Sequence, residues 1–454
     1  MEIEQPVPNP AAQQAQQRTL TGRFCRCIFT SIFYTQLTLI SLFVIFLTLR
    51  GLVFTKSPNF HPKKWYTPLL SSVAVSGVVS LAWQCFFVCN IRRTVRATFW
   101  LTPILILSLG VFLMLYKSYV VRWTGILLVF FSIVSAIYGC HVGEKHEFTF
   151  KMMSIATKVL PARTRVIAVV SMILSLFYSG FLVAGIGGAT STRTRLDILF
   201  ISIIFISLAW TMQVLKNIQQ VAISKAVYAY FKRDEFMNAC DALGVTLRKH
   251  LGSVCMGSTL VPVVVLIRGT IRGCHQCDKC DDDEEIYTST RGCFFIANHL
   301  ILYGNRYGFV QVGVYNKGFV QASNDTWRTF RRMAGLEQLI DFDLTSSICF
   351  YNAIGVGAIA ALTAGIWELL IQKDHFFELT LYAFIIGYFV GRVSTAWLQA
   401  CVMGYYVAYS ENPQSDNFDD TIPHRIVRQN IEKLKREAEN EVREEEDVED
   451  PSYM

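Results

Sequence analysis

The chain has 454 residues, of which 52% are hydrophobic and only 17% charged. A soluble domain carries about 25% charged residues, so this composition excludes an ordinary soluble globular protein. The net charge of +7 accompanies no basic patch set in a soluble fold, so it reads as membrane topology and lipid-headgroup contact, and a nucleic-acid partner is excluded.

Taken in chain order, residues 1–28 come first. They begin MEIEQPVPNPAAQQAQQ, with no basic start followed by an apolar core, so no cleavable leader is expected. Their low apolar content suits a disordered cytosolic arm. Cys25 and Cys27 lie just before the first apolar run, as plain thiols or as sites of reversible lipid attachment.

A spanning helix needs roughly 20 mainly apolar residues. Ten runs of that kind follow, at 29–53, 67–89, 98–116, 122–141, 166–187, 196–217, 251–271, 293–315, 346–371 and 377–409. The eighth is the weakest, interrupted by Asn298, His299, Asn305, Arg306 and Gln311. An even number puts both termini on one side. Clusters such as Arg92, Arg93, Arg96 and Arg328, Arg331, Arg332 place that side in the cytosol by the positive-inside rule. The expected fold is therefore an all-α polytopic membrane protein of about ten transmembrane helices with both termini cytosolic. A ten-helix domain would occupy 29–409, and a charged cytosolic tail 410–454.

Between the fourth and fifth runs, 144–165 reads as an amphipathic helix lying on the cytosolic interface. The sixth run continues to residue 231 without an obvious stop. As one helix, 196–231 reaches about 54 Å against a hydrocarbon slab of about 30 Å. It must project from the membrane, tilt, or break near Gln213–Asn217. Trp210, Gln213, Asn217, Gln220, Ser224 and Tyr228 recur at helical spacing on one face, while Met212, Leu215, Ala222 and Ala226 occupy the other. Polar groups at membrane depth usually face a cavity or another helix. Two readings stand side by side: a lined solute path, or interhelical hydrogen bonds worth about 0.6 kcal/mol each.

Between runs seven and eight, Cys274, Cys277 and Cys280 are spaced C-x2-C-x2-C. The expected topology puts them outside, where a disulfide, a partner or lipid contact and a metal are the alternatives. No metal site is assigned, because a second pair of ligands is lacking. The tenth run carries a second polar stripe, Arg392, Gln399 and Tyr406. A guanidinium at membrane depth must find an acceptor or water, and Glu368 in the ninth run is the candidate partner for a structural ion pair. Unpaired, Arg392 would repel a cationic solute. After Tyr409 the tail turns charged, with helical pairing near Glu432–Lys435 and an acidic end available to cytosolic partners. His141 and His146 have no second histidine box. No phosphate-cradling glycine loop follows a strand, and no catalytic arrangement rises above chance. No cofactor and no enzymatic activity are expected.

HLGSVCMGSTLVPVVVLIR (250–268) and GNRYGFVQVGVYNKGFVQAS (304–323) together resemble the signature half of the choline transporter-like family. Tyr230-Phe231-Lys232-Arg233-Asp234 is similar to the family's end to the sixth span, and YSENPQ (409–414) to its plant and fungal branch. The resemblance covers about 200–415. It implies ten spans, cytosolic termini, and transport of choline or a related amine in the plasma membrane or an endomembrane.

Choline's quaternary ammonium cannot donate an N–H hydrogen bond, so its site would need aromatic faces and one group for the hydroxyl. Trp210 heads the polar stripe and is the first choice, with Tyr351 and Trp397 behind it. Gln213 or Asn217 would hold the hydroxyl, and Ser224 extends the face. Trp65, Tyr66 and Trp123, near span ends, read as interface anchors. A cation could enter down the membrane potential, at about 2.3 kcal/mol per charge per 100 mV, with helices rocking around a central site and no coupling ion. The competing class is a membrane protein of lipid homeostasis or trafficking that moves nothing.

Overall fold

The structure is a computed structural model and is described over residues 10–53, 63–160, 162–190, 196–278, 300–333, 335–371, 375–413 and 415–418. Among these residues all regular structure is helical, as expected where backbone groups must find partners within their own segment in lipid. The helices are α1 (Pro10–Val53), α2 (Lys63–Cys89), α3 (Ile91–Met114), α4 (Tyr119–His141), α5 (Gly143–Lys158), α6 (Ala162–Ala189), α7 (Leu196–Arg233), α8 (Ala239–Val245), α9 (Leu251–Asp278), α10 (Gly308–Tyr315), α11 (Phe319–Arg332), α12 (Leu336–Phe342), α13 (Thr345–Ile371), α14 (Phe376–Ser394) and α15 (Ala396–Glu411). Nine helices among the described residues are long and apolar enough to cross a membrane. The chain is an integral, multi-pass membrane protein.

Local chemistry sets the boundaries. Asn90 ends α2 and caps α3, its side-chain oxygen accepting from Arg93 N at 3.1 Å. Such a cap satisfies one of the orphan amides that open every helix. Helix α7 stops where Asp234 takes a left-handed φ of 55°. Asp234 N then donates to Tyr230 O at 2.9 Å and Glu235 N to Ala229 O at 3.4 Å, closing the freed carbonyls. The aromatic-basic-acidic stretch noted in the sequence is thus a helix stop, with Lys232 and Arg233 at the negative end of the helix dipole.

Several expectations change. Helix α1 begins at Pro10, inside the stretch expected to be a disordered arm. Helix α5 does not present its apolar face to lipid: Phe148, Met152, Met153 and Ala156 are buried in the protein core. Trp123 is exposed, as an interface anchor should be, whereas Trp65 is buried between His375 and Tyr382. The described part of the eighth run is a turn followed by the two-turn helix α10, which Asn316 ends at a φ of 55°; its first residues, 293–299, lie outside the described residues. The tenth run is two helices that meet at Thr395. The hydroxyls of Ser394 and Thr395 both turn back onto Gly391 O, at 2.9 and 3.1 Å, competing with the helical ladder. The Ser394 carbonyl freed by the break accepts from Gln84 Nε2 of α2 at 2.8 Å. Helix α7, by contrast, runs unbroken for 38 residues, about 57 Å at 1.5 Å per residue.

Close helix contacts use small residues, as membrane bundles do. On α3 and α4, Gly110 and Gly125 face each other. A Cβ on either would stand 2.7–2.9 Å from the other's carbonyl oxygen. Gly404 of α15 lets that helix lie directly on the Ser224 carbonyl of α7. Helices α7 and α15 thereby form the spine of the largest core cluster.

Candidate functional site

The polar face of α7 opens onto a cavity of about 1,020 Å³. Trp210, Gln213, Lys216, Asn217 and Gln220 form one wall. Ser258 of α9, Arg306 of the turn before α10, Ser346 of α13, and Tyr388 and Arg392 of α14 face them, with Gln399 of α15 closing the end. Phe350 and Phe389 add rings, and Ile206, Val265 and Leu266 make one flank apolar. The volume is at the upper end of small-molecule sites.

The wall is tied by a chain of polar contacts. Gln220 Nε2 donates to Gln399 Oε1 at 2.6 Å, and Gln399 Nε2 donates to Ser346 Oγ at 2.8 Å. The Arg306 guanidinium donates to the same Ser346 hydroxyl and to Tyr307 Oη at 3.4 Å. Asn217 Nδ2 donates to Ser258 Oγ at 2.8 Å, and the Ser258 hydroxyl in turn donates to Val254 O at 2.7 Å. Asn217 Oδ1 and Trp210 Nε1 are buried with no partner among the described residues. Leaving such groups unpaired is costly in a dry site.

The turn that carries Arg306 is built by the family-like residues. Asn305 N donates to Ser323 Oγ at 2.7 Å and Asn305 Oδ1 accepts from Tyr307 N at 3.1 Å. Asn305 and Ser323, 18 residues apart in sequence, thus hold Arg306 toward the cavity.

Of the six residues expected to touch solute, Trp210, Gln213 and Asn217 line this cavity. Ser224 does not: its face of α7 is covered by Gly404 of α15. Tyr351 lies on a separate apolar cavity of about 500 Å³ with Tyr138 and Phe384, its ring 5.2 Å from that of Phe99. Trp397 is buried and borders a third cavity beside Arg92, Lys158 and Arg165. The expected Arg392–Glu368 pair does not form among the described residues. Glu368 Oε1 accepts from His375 N at 3.1 Å, at the far end of α13. Ser346, on the cavity with Arg392, is 22 residues away along the same helix, about 33 Å at 1.5 Å per residue.

Lys216, Ser258, Arg306 and Ser346 join the site beyond the six candidates. Lys216 adjoins a stripe position, and Arg306 interrupts the eighth apolar run, where hydropathy does not distinguish a turn from a weak helix. The side chains of Cys274 and Cys277, and all of Cys280, lie outside the described residues, as does the tail beyond 418.

Beyond the cavity, α7 reaches a second polar cluster. Lys232 pairs with Glu411 of α15, and Tyr315 Oη of α10 donates to Glu411 Oε2 at 2.6 Å. Lys232 Nζ also donates to Tyr228 Oη at 2.6 Å. Tyr228 lies eight residues past Gln220, about 12 Å along the helix.

Comparison with known proteins agrees with this architecture. The family described as plasma-membrane choline transporter matches residues 126–414, a stretch that includes α7 and most of the cavity wall. Protein PNS1 of Mycosarcoma maydis is 26% identical over 239 residues, 50% of this chain and 45% of its own. Protein PNS1 of Debaryomyces hansenii is 24% identical over 261 residues, 52% and 49% respectively. That of Neurospora crassa is 22% identical over 360 residues, 71% and 64%. In the first two matches the chain spans about half the length of its relative. A family match across well over half the chain, on top of a helical membrane bundle, makes this chain a member of the plasma-membrane choline transporter family.

Proposed function

We propose that this chain is a solute carrier that moves choline or a related small amine across the plasma membrane by alternating access, with the cavity beside α7 as its central site. The observation that carries this is the alignment of Trp210, Gln213, Asn217 and Gln220 on a cavity within a membrane bundle. Binding near the middle of a bundle, between helices that can rock, is the common carrier plan. Trp210, Phe350, Tyr388 and Phe389 offer faces to a quaternary ammonium, at about 0.5–2 kcal/mol per contact. Gln213, half-buried on the cavity wall, suits a solute hydroxyl. Family membership supports the transporter role.

The test is uptake of labelled solute by liposomes holding the purified protein. A carrier gives saturable uptake with competition, a channel gives uptake without saturation, and a protein of lipid handling or trafficking moves nothing. Trp210→Ala raises the half-saturation concentration about two- to thirty-fold, the loss of one cation–π contact. Unchanged kinetics in that variant remove Trp210 from the site.

A further inference from the structure

Resting on the reading of this cavity as a solute site, we propose that the solute it takes carries an anionic group, a phosphate or a carboxylate, held by Lys216, Arg306 and Arg392. A choline-type ligand then enters as a zwitterion, its ammonium on the aromatic rings and its anion on the basic cluster.

Among the described residues the cavity wall carries these three basic side chains and no Asp or Glu. Lys216 is only 6% exposed, with Arg392 and Arg306 both within electrostatic range of it. Neither Lys216 nor Arg392 has a hydrogen bond or ion pair with a described residue. Arg306 bonds only neutral hydroxyls, those of Ser346 and Tyr307. Asp343 lies within its electrostatic reach. That carboxylate is off the cavity wall, however, and is occupied by Thr345, whose N and Oγ1 donate to Asp343 Oδ1 at 3.1 and 2.7 Å.

Two guanidiniums facing one space in a membrane bundle, with a buried lysine within electrostatic range of both, are unfavourable unless something opposite enters it. Two guanidiniums and an ammonium match the chemistry that holds phosphate and carboxylate: planar forks for paired oxygens and a point charge between them. Ser346, across the cavity from Lys216, adds a hydroxyl donor to such oxygens, since its own oxygen accepts from Gln399 and Arg306 and its hydrogen is left free. A bare cation meets only repulsion at this end of the cavity. An amine that also bears an anion satisfies both ends.

The experiment uses the full chain in an uncharged maltoside detergent, titrated with choline phosphate, inorganic phosphate and choline while heat of binding is read. Choline phosphate binds at least ten-fold more tightly than choline, and inorganic phosphate displaces it. Lys216→Gln and Arg392→Gln each lower the preference for choline phosphate over choline at least ten-fold. Arg392→Lys, which keeps the charge, retains most of the affinity, and separates a lost anion contact from a damaged fold. Choline binding as tightly as choline phosphate, with neither affected by Lys216→Gln, overturns the proposal.

Uptake by liposomes keeps the two readings apart. Binding of choline phosphate without uptake overturns the carrier reading and leaves the anion site standing. Saturable choline uptake that neither phosphate nor Lys216→Gln alters overturns the anion site and leaves the carrier. Mixed micelles containing phosphatidic acid identify the source of the anion. Weakened choline phosphate binding there assigns the site to a lipid headgroup, and unchanged binding to a free solute; both support the shared chemistry.

Discussion

Single residues in this molecule are placed by what their neighbours leave unsatisfied. His146 stacks on Phe99 at 4.3 Å, and its Nε2 is buried without a partner among the described residues. It lies outside the spanning helices, on α5. Burial, and then the positive charge of Arg96, hold its pKa below the ordinary histidine value. The unfolded chain therefore takes up a proton first as pH falls, and the folded form loses relative stability from about pH 6.5 downward, toward the lowered folded pKa. Above pH 6.5 this contribution is fully present. Replacing His146 by Phe should flatten the fall in melting temperature of the purified protein between pH 7 and pH 5. An equally steep fall in the variant would assign the acid sensitivity elsewhere.

Trp210, Gln213, Asn217 and Gln220 were legible in the sequence because a helix repeats every 3.6 residues, and a run of polar residues at that period has one face. Ser224 obeys the same period but meets a glycine on another helix, which no local pattern announces. Arg306 and Ser346 could not be found this way, since their meeting depends on a turn that Asn305 and Ser323 build from distant parts of the chain.

At the level of helices, contacts between backbones decide what side chains are tolerated. Gly404 lies so close to α7 that a Cβ there would stand 2.7 Å from Ser224 O. Backbone cannot give as a flexible side chain can, so Gly404→Leu should destabilise the bundle by about 1–3 kcal/mol or more, read as a lowered melting temperature. Ser224→Ala should stay within about 0.5 kcal/mol of the parent, because the Ser224 hydroxyl makes only a long bond, 3.4 Å, to Val221 O of its own helix. A large loss of stability or of solute binding in Ser224→Ala would return this residue to the site.

Nine of the ten apolar runs announced helices that exist, since length and hydropathy suffice to identify a helix in lipid. The tenth run stays apolar through Thr395 and so hid its break. The cause is two hydroxyls bonding to one carbonyl, with Gln84, some 310 residues away in sequence, accommodating the result. Hydropathy does not register hydrogen-bond competition.

For the whole molecule, the cavity and the Lys232–Glu411 cluster are two of the polar centres strung along α7. The cluster joins α7, α10 and α15 through Glu411, and Asn417 Nδ2 adds a bond to Tyr230 O at 3.1 Å. Glu411→Gln keeps the shape and removes the charge that Lys232 and Tyr315 share. With Ser258→Cys as reporter, this variant should speed labelling of the cavity by a charged thiol reagent added on the side of the cluster. Labelling at the parent rate would mean that these contacts do not close the passage.

The continuity of α7 gives these two centres a mechanical relation. A helix without a proline or a bulge behaves as a stiff rod, and this one bears the cavity wall at Gln220 and the closing contacts at Lys232. The two points are 12 residues apart, about 18 Å. A tilt of roughly 10° about the nearer point displaces the farther one by about 3 Å, which exceeds what a hydrogen bond tolerates. On the carrier reading proposed above, occupancy at one end of the rod would loosen the Lys232–Glu411 contacts at the other by leverage alone, with no intermediate chain of messengers.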